Sequence, residues 1–179
     1  MDTAWAIISE DGPDALSLRE VAKREGVAHR ALYRHFADRN DLALAVAAEG
    51  FRRLAVKLQA ALRRRGADEN ARATLMGAYV AFAVANPGPY RAMFRIRARQ
   101  LMTHPLSSAA VREVIAVATE AYGSVPTERG DKRAIRDRVV AAWGLAHGLI
   151  DLWFSGALRA RTAKELQTYI ERLIREHLD

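Results

Sequence analysis

Residues 17–42, SLREVAKREGVAHRALYRHFADRNDL, decide how the rest of the chain is read. Ser17 stands at an N-cap position with Glu20 three residues on, the reciprocal pairing that satisfies two orphan backbone donors and starts a helix near Leu18. Leu18, Val21 and Ala22 then recur at helical spacing. The helix must stop at Gly26, because the left-handed backbone of a helix end costs glycine little and costs other residues a steric clash. Gly26-Val27 is the turn. Beyond it Ala31, Leu32, Tyr33 and Phe36 give a second apolar stripe, with His29, Arg30 and Arg34 on the other side. Two short helices across a glycine-containing turn make a helix-turn-helix, whose second helix is sized for the DNA major groove.

Gly12, Ala15-Leu16-Ser17-Leu18, Val21-Ala22, Gly26-Val27, Leu32-Tyr33-Arg34-His35-Phe36 and Asp38-Arg39 to Leu42 together resemble the tetracycline-repressor (TetR) family of bacterial transcriptional regulators. The resemblance covers about the first quarter of the chain. It implies that Tyr33, His35 and Arg39 contact DNA phosphates, which sets register without reading sequence. It also places His29, Arg30 and Ala31 in the first turn of the recognition helix, facing base edges, with Arg34 on the same helix, and puts Ser17 and Arg19 at the start of the preceding one. Arg30 is the candidate for base readout, since its fork matches guanine O6 and N7. Arg19 could reach a base or a phosphate. Two departures stand out. Ala28 replaces the Ser or Thr that caps the family's recognition helix, at a cost of about 1 kcal/mol, and the chain starts almost inside its first helix, so no residue is carried over to a minor-groove arm.

Half of the 179 residues are hydrophobic, enough to bury a real core in one unit or two closely packed helical parts. The absence of cysteine excludes disulfides and thiolate metal sites and fits a reducing compartment. No basic segment precedes an apolar run at the N-terminus, so no signal peptide is expected and the protein is expected in the cytoplasm. The net charge of +7 is unevenly spread: residues 1–50 carry 6 Lys/Arg against 9 Asp/Glu, whereas residues 51–104 carry 11 against 2. The surplus, with clusters at Arg63-Arg64-Arg65 and at Arg95, Arg97 and Arg99, therefore lies outside the helix-turn-helix and reads first as solvated helix faces and loop ends.

The remaining pattern is helical throughout. Asp2 to Glu10 forms a helix that ends at Asp11-Gly12-Pro13 and packs under the helix-turn-helix. Asp38 caps an amphipathic run to Arg65, which at about 1.5 Å per residue spans roughly 40 Å, a lever from reader to sensor. Helices follow over Ala67 to Ala85, Tyr90 to Arg97 after a break at Asn86-Pro87-Gly88-Pro89, Leu106 to Tyr122, Thr127 to Phe154, and from Thr162, with Glu165 as its capping-box partner. The segment from Ala98 to Pro105 is expected as loop. Nothing alternates with period two. The expected fold is all-α with about nine helices, residues 1–45 forming a three-helix DNA-binding domain and residues 46–179 a ligand-binding and dimerisation domain.

Val139 to Leu158 is about as long as a membrane span, but His147, Asp151 and the glycines at 144, 148 and 156 disfavour one. A buried helix in a bundle fits better, with Gly144 and Gly148 admitting a close neighbour. Trp143-x-x-x-His147-Gly148, with Asn86-Pro87 and Tyr90-Arg91-x-Met93-Phe94 upstream, resembles the sensor domain of a TetR subgroup marked by a Trp-His-Gly signature. That resemblance implies a dimer. Tyr79, Phe82, Met93, Phe94, Trp143 and His147 either line a ligand pocket or are core, since a pocket in a helical domain uses the same residue types. His147 either meets a ligand's polar atoms or pairs with Asp151.

Enzyme chemistry has no support in the pattern: there is no Cys, no His-x-x-x-His pair and no glycine-rich phosphate loop. No cofactor, metal or membrane is expected. The first expectation is a homodimeric repressor that binds a palindromic duplex operator and is released by a small, largely apolar effector. The alternative is a DNA-binding or protein-interaction module without small-molecule control.

Overall fold

Residues 1–66, 70–123 and 131–177 are described by this computed structural model. They form ten α-helices, one 3-10 turn and no strand: α1 (Asp2–Asp11), the turn Pro13–Ala15, α2 (Leu18–Glu25), α3 (His29–Leu32), α4 (Arg39–Arg64), α5 (Ala71–Ala85), α6 (Pro87–Arg95), α7 (Ala98–Thr103), α8 (Pro105–Gly123), α9 (Lys132–Phe154) and α10 (Ala163–His177). The fold is all-α as expected. The helices gather into two compact units, Met1–Arg53 with Asn86–Glu113, and Leu54–Ala85 with Val114–Asp179.

In the first unit, Ala4, Ile7 and Ile8 of α1, Leu16, Leu18 and Val21, and Leu42 and Val46 of α4 form one buried cluster. Leu32 and Phe36, from either end of the recognition segment, pack against it. Leu18, Val21, Leu32 and Phe36 of the apolar stripes read from the sequence thus hold the helix-turn-helix on its support, each such side chain removed from water contributing about 1.5–3 kcal/mol, whereas Tyr33, read into the second stripe, is exposed beside His29. Gly26 ends α2 with φ 67°, its N–H donating to Ala22 and Lys23 and the Val27 N–H to Ala22 at 3.1 Å, a Schellman ending. Gly88 has a different reason to be glycine. A Cβ there would lie 2.3 Å from the Ile8 carbonyl oxygen, so only a bare backbone lets α6 approach α1 this closely. Arg24 ties α2 back to α1 through Glu10 and Asp11, each 2.5 Å away.

In the second unit, α5, α9 and α10 are capped from the sequence. The Asn70 side chain accepts from Arg72 and Ala73, Asp131 from Arg133 and Ala134, and Thr162 from Glu165. On α9, Ile135, Ala142, Ala146, Leu149 and Ile150 are buried, and Leu166, Ile170 and Ile174 do the same for α10. The opposite stripe of α9 is open: Val140 and Leu152 are exposed, and a Cβ on Gly144 or Gly148 would meet nothing among the described residues.

Several expectations are corrected. Ala98–Thr103, expected as loop, is helix α7, because Ala, Arg, Gln, Leu and Met are good helix formers and Leu101 is buried as its anchor. The break at Asn86 is instead the N-cap of α6, with prolines in its first positions where a missing N–H costs nothing. Glu20 does not complete its capping box but lies against Arg24 and Lys23, while Glu165 accepts from the Arg161 N–H rather than from Thr162. Among the described residues Gly144 and Gly148 admit no neighbour. The expected helix starts at Ala67 and Thr127 lie outside the described residues. Among the described residues no helix is long and apolar enough to cross a membrane.

Candidate nucleic-acid interface and sensor cluster

The recognition segment is built on a short core. Ala28 precedes α3 in extended conformation without a side-chain cap, as its methyl group requires, and α3 is four residues long. The chain continues in tight turns, with the His35 and Phe36 N–H groups both donating to Leu32 at 2.9 Å. Leu32 and Phe36 face inward. His29, Arg30, Tyr33, Arg34 and His35 are consequently exposed, and Ala31 is half-buried. The His29 and Tyr33 rings meet edge-on with centroids 5.0 Å apart, which orients the phenol, itself 52% exposed and thus available to an outside partner.

Ser17 accepts the Glu20 N–H at 3.1 Å, and a hydroxyl that accepts in this way retains its proton to donate outward. Arg19, the next helical residue but one, is exposed. Arg39 is placed otherwise than a free phosphate ligand. Its Nε donates to the Leu16 carbonyl at 2.7 Å and its Nη2 to Asp14 and Pro13 at 3.2 and 3.3 Å, so it clasps the α1–α2 connection. The loop before α4 is fixed by a pair of aspartates: Asp38 accepts from the Asp41 N–H at 2.8 Å and Asp41 accepts from the Ala37 N–H at 3.0 Å.

The six residues read as pocket or core divide between the units. Met93 and Phe94 belong to the first, where Met93 fills the space over Gly50 and Phe94 meets Phe51 and Tyr90 edge-on at 5.5 and 5.0 Å. Tyr79, Phe82, Trp143 and His147 belong to the second. There the spacing of Trp143 and His147, one turn apart on α9, brings both to a single atom. The Trp143 Nε1 donates to the Tyr79 hydroxyl at 3.0 Å, and His147 Nδ1 is 3.4 Å from the same oxygen. Burial lowers the His147 pKa, against a smaller upward pull from Asp151, so the ring favours its neutral form. Phe82 is buried on α5, and Trp143 is 45% exposed, so the cluster runs from core to surface.

Sequence reasoning missed the buried Arg72, whose guanidinium stacks 5.0 Å over the Tyr122 ring. At a helix start it is indistinguishable in sequence from a solvated arginine.

No curated protein matches the sequence. Among solved structures, a Rhodococcus sp. RHA1 protein of unknown function is similar, with TM-score 0.79 and 26% identity over 99% of this chain and 93% of that one. A protein described as a candidate regulatory protein, SCO4313, is similar with TM-score 0.71 and 27% identity over 97% and 91% of the two chains. Residues 1–46 match the model for bacterial regulatory proteins of the tetR family, and residues 72–177 match the model for a tetracyclin repressor-like C-terminal domain. With a reader fold at one end and this second match over more than half of its length, the chain belongs to the tetracycline-repressor (TetR) family of bacterial regulators.

Proposed function

We propose that the protein is a cytoplasmic, non-enzymatic transcriptional repressor that binds a palindromic duplex operator as a homodimer and is released by a small, largely apolar effector. Residues 1–45 act as the reader and 46–179 as the sensor, the latter of the Trp-His-Gly kind. The observation that carries the reading is the division of the recognition segment. Leu32 and Phe36 are spent on the core, leaving Arg30, Tyr33, Arg34 and His35 exposed together. Arg30 takes base readout, with Ser17, Arg19, His29, Ala31 and Arg34 beside it, and Tyr33, His35 and Arg39 take phosphates.

The open stripe of Val140, Gly144, Gly148 and Leu152 on α9 supports pairing of two copies through α9 and α10, since small residues let helices approach and exposed apolar side chains gain from cover. Tyr79, Phe82, Trp143 and His147 are proposed to meet the effector. An effector acts only through its differential affinity for two arrangements, typically about 1–3 kcal/mol of coupling.

Selection of random duplexes by the full chain tests the reading. A recovered two-fold symmetric sequence, released in a thermal-shift-guided screen by an apolar compound, is the expected result. Recovery of no sequence preference removes operator recognition. A monomer in sedimentation at micromolar concentration removes the dimer.

A further inference from the structure

The reader alone has no positive surplus with which to hold a polyanion. Residues 1–53 carry eight Lys/Arg against nine Asp/Glu, whereas residues 86–113 of the same unit carry five Arg against a single Glu. No Asp or Glu at all occurs from Asn70 to Arg112. Residues 17–40 carry six Lys/Arg against three Asp/Glu, so any cation for phosphates beyond those the helix-turn-helix reaches comes from this second stretch.

We propose that Arg97 and Arg99, at the junction of α6 and α7, bind the phosphate backbone of duplex DNA flanking the half-site read by α3. The proposal rests on the operator-binding reading above and extends it beyond the helix-turn-helix. Both arginines are exposed, and among the described residues neither forms an ion pair, in contrast to Arg24, Arg52, Arg53 and Arg95. They are also held in place against the reader. On one side Arg95 Nη1 meets Asp14 at 3.1 Å, and on the other His104 Nε2 lies 3.8 Å from Asp41, the residue that fixes the loop after the recognition segment. Ile96 and Gln100, which bracket the two arginines, share the wall of a cavity of about 390 Å³ with Pro13, Leu16, Arg39 and Asn40. The junction is thus a neighbour of the first turn of α4.

The positions are rigid as well as near. Leu101 is buried, and the buried Ser107 hydroxyl donates to the Leu101 carbonyl at 2.7 Å, so α7 cannot slide without exposing both. The backbone that carries both arginines is thus fixed, and the planar fork of each suits two phosphate oxygens. Charge without base-facing geometry predicts a contact that lengthens the footprint and adds no sequence preference.

The test uses the full chain and the sequence it selects, in two duplexes: one trimmed to the two half-sites and one extended by about half a helical turn at each end. The slope of log affinity against log salt should be steeper on the extended duplex, by about two units per bound protomer for two added phosphate contacts. The double variant R97Q/R99Q should bind the trimmed duplex like the parent and lose the extra slope on the extended one. R97K/R99K, which keeps the charge, should retain most of it. Equal slopes for the parent on both duplexes, or equal losses by R97Q/R99Q on both, would overturn the proposal while leaving operator recognition intact. Failure of the parent to select any duplex would instead overturn operator recognition, and this proposal with it.

Discussion

The Nε of Arg39 donates to the carbonyl of Leu16 at 2.7 Å, joining the first residue of α4 to the chain just before α2. Together with its bonds to Pro13 and Asp14, this clasp fixes where α2 begins and hence where α3 is presented. Arg39→Ala should lower stability by about 1–2 kcal/mol, the scale of charge-assisted bonds at a partly exposed site. It should also weaken binding to every duplex alike. Arg39→Lys separates the two roles, since an ammonium keeps the charge for phosphate but cannot span three carbonyls. A lysine variant with parental denaturant midpoint would show that the clasp contributes nothing.

Arg30 and Tyr33 lie on the same exposed segment and should nevertheless differ in what their loss does. Arg30→Ala should cost about 1–3 kcal/mol on the selected operator and relax the preference at one base pair. Tyr33→Phe removes one uncharged phenolic donor and should weaken all sequences by a similar factor while leaving the salt dependence unchanged. Repeating the duplex selection with each variant decides the matter. An unchanged consensus from the Arg30 variant would move base readout elsewhere.

What the sequence made legible follows from how local its causes are. The Ser17, Asp38 and Thr162 caps and the Gly26 stop depend on residues three or four apart, and each is in place. So are the buried stripes, which depend only on helical period, except that Tyr33 lies exposed beside His29. What was not legible has other causes. Glu20 was drawn from its capping box by competing partners one turn on, Lys23 and Arg24. The bonds of Arg39 go to carbonyls 23 to 26 residues away, which no local pattern shows. Ala98 to Thr103 looked like loop because a six-residue helix on a single buried leucine has too few residues to show a period. The aromatic set of Tyr79, Phe82, Phe94 and Trp143 was legible by residue type, but its division between units was not, since no local pattern says which neighbour Phe94 meets.

Gly88 offers a test of the α1–α6 contact. Its missing Cβ would fall 2.3 Å from the Ile8 carbonyl oxygen, a backbone atom that cannot swing aside. Gly88→Ala should therefore destabilise the chain by about 1–3 kcal/mol through overpacking, despite the higher helix propensity of alanine. Thermal melting measures it. A variant as stable as the parent would mean that α6 can withdraw from α1 at little cost.

The Tyr79 hydroxyl is the shared atom of the sensor cluster, and both its chemistry and its pH dependence can be read out. Tyr79→Phe removes the acceptor for the Trp143 Nε1 and the oxygen beside His147, so a double-mutant cycle with Trp143→Phe should give a coupling of about 0.5–1.5 kcal/mol. His147 adds a titration. Its folded-state pKa is lowered, chiefly by burial, so below the ordinary histidine value the unfolded chain takes up the proton more readily than the folded one. The contribution is thus fully present above the unfolded pKa, near about 6.5, and is lost as the pH falls below it. Melting temperatures of the parent should fall faster than those of His147→Gln as the pH is taken from about 7 to about 5. If the effector meets His147, its affinity should decline over the same interval in the parent and not in the variant. Parallel curves for the two proteins, with and without effector, would show that the ring carries no proton linkage, and a coupling of zero would remove Tyr79 as the organising atom of the cluster.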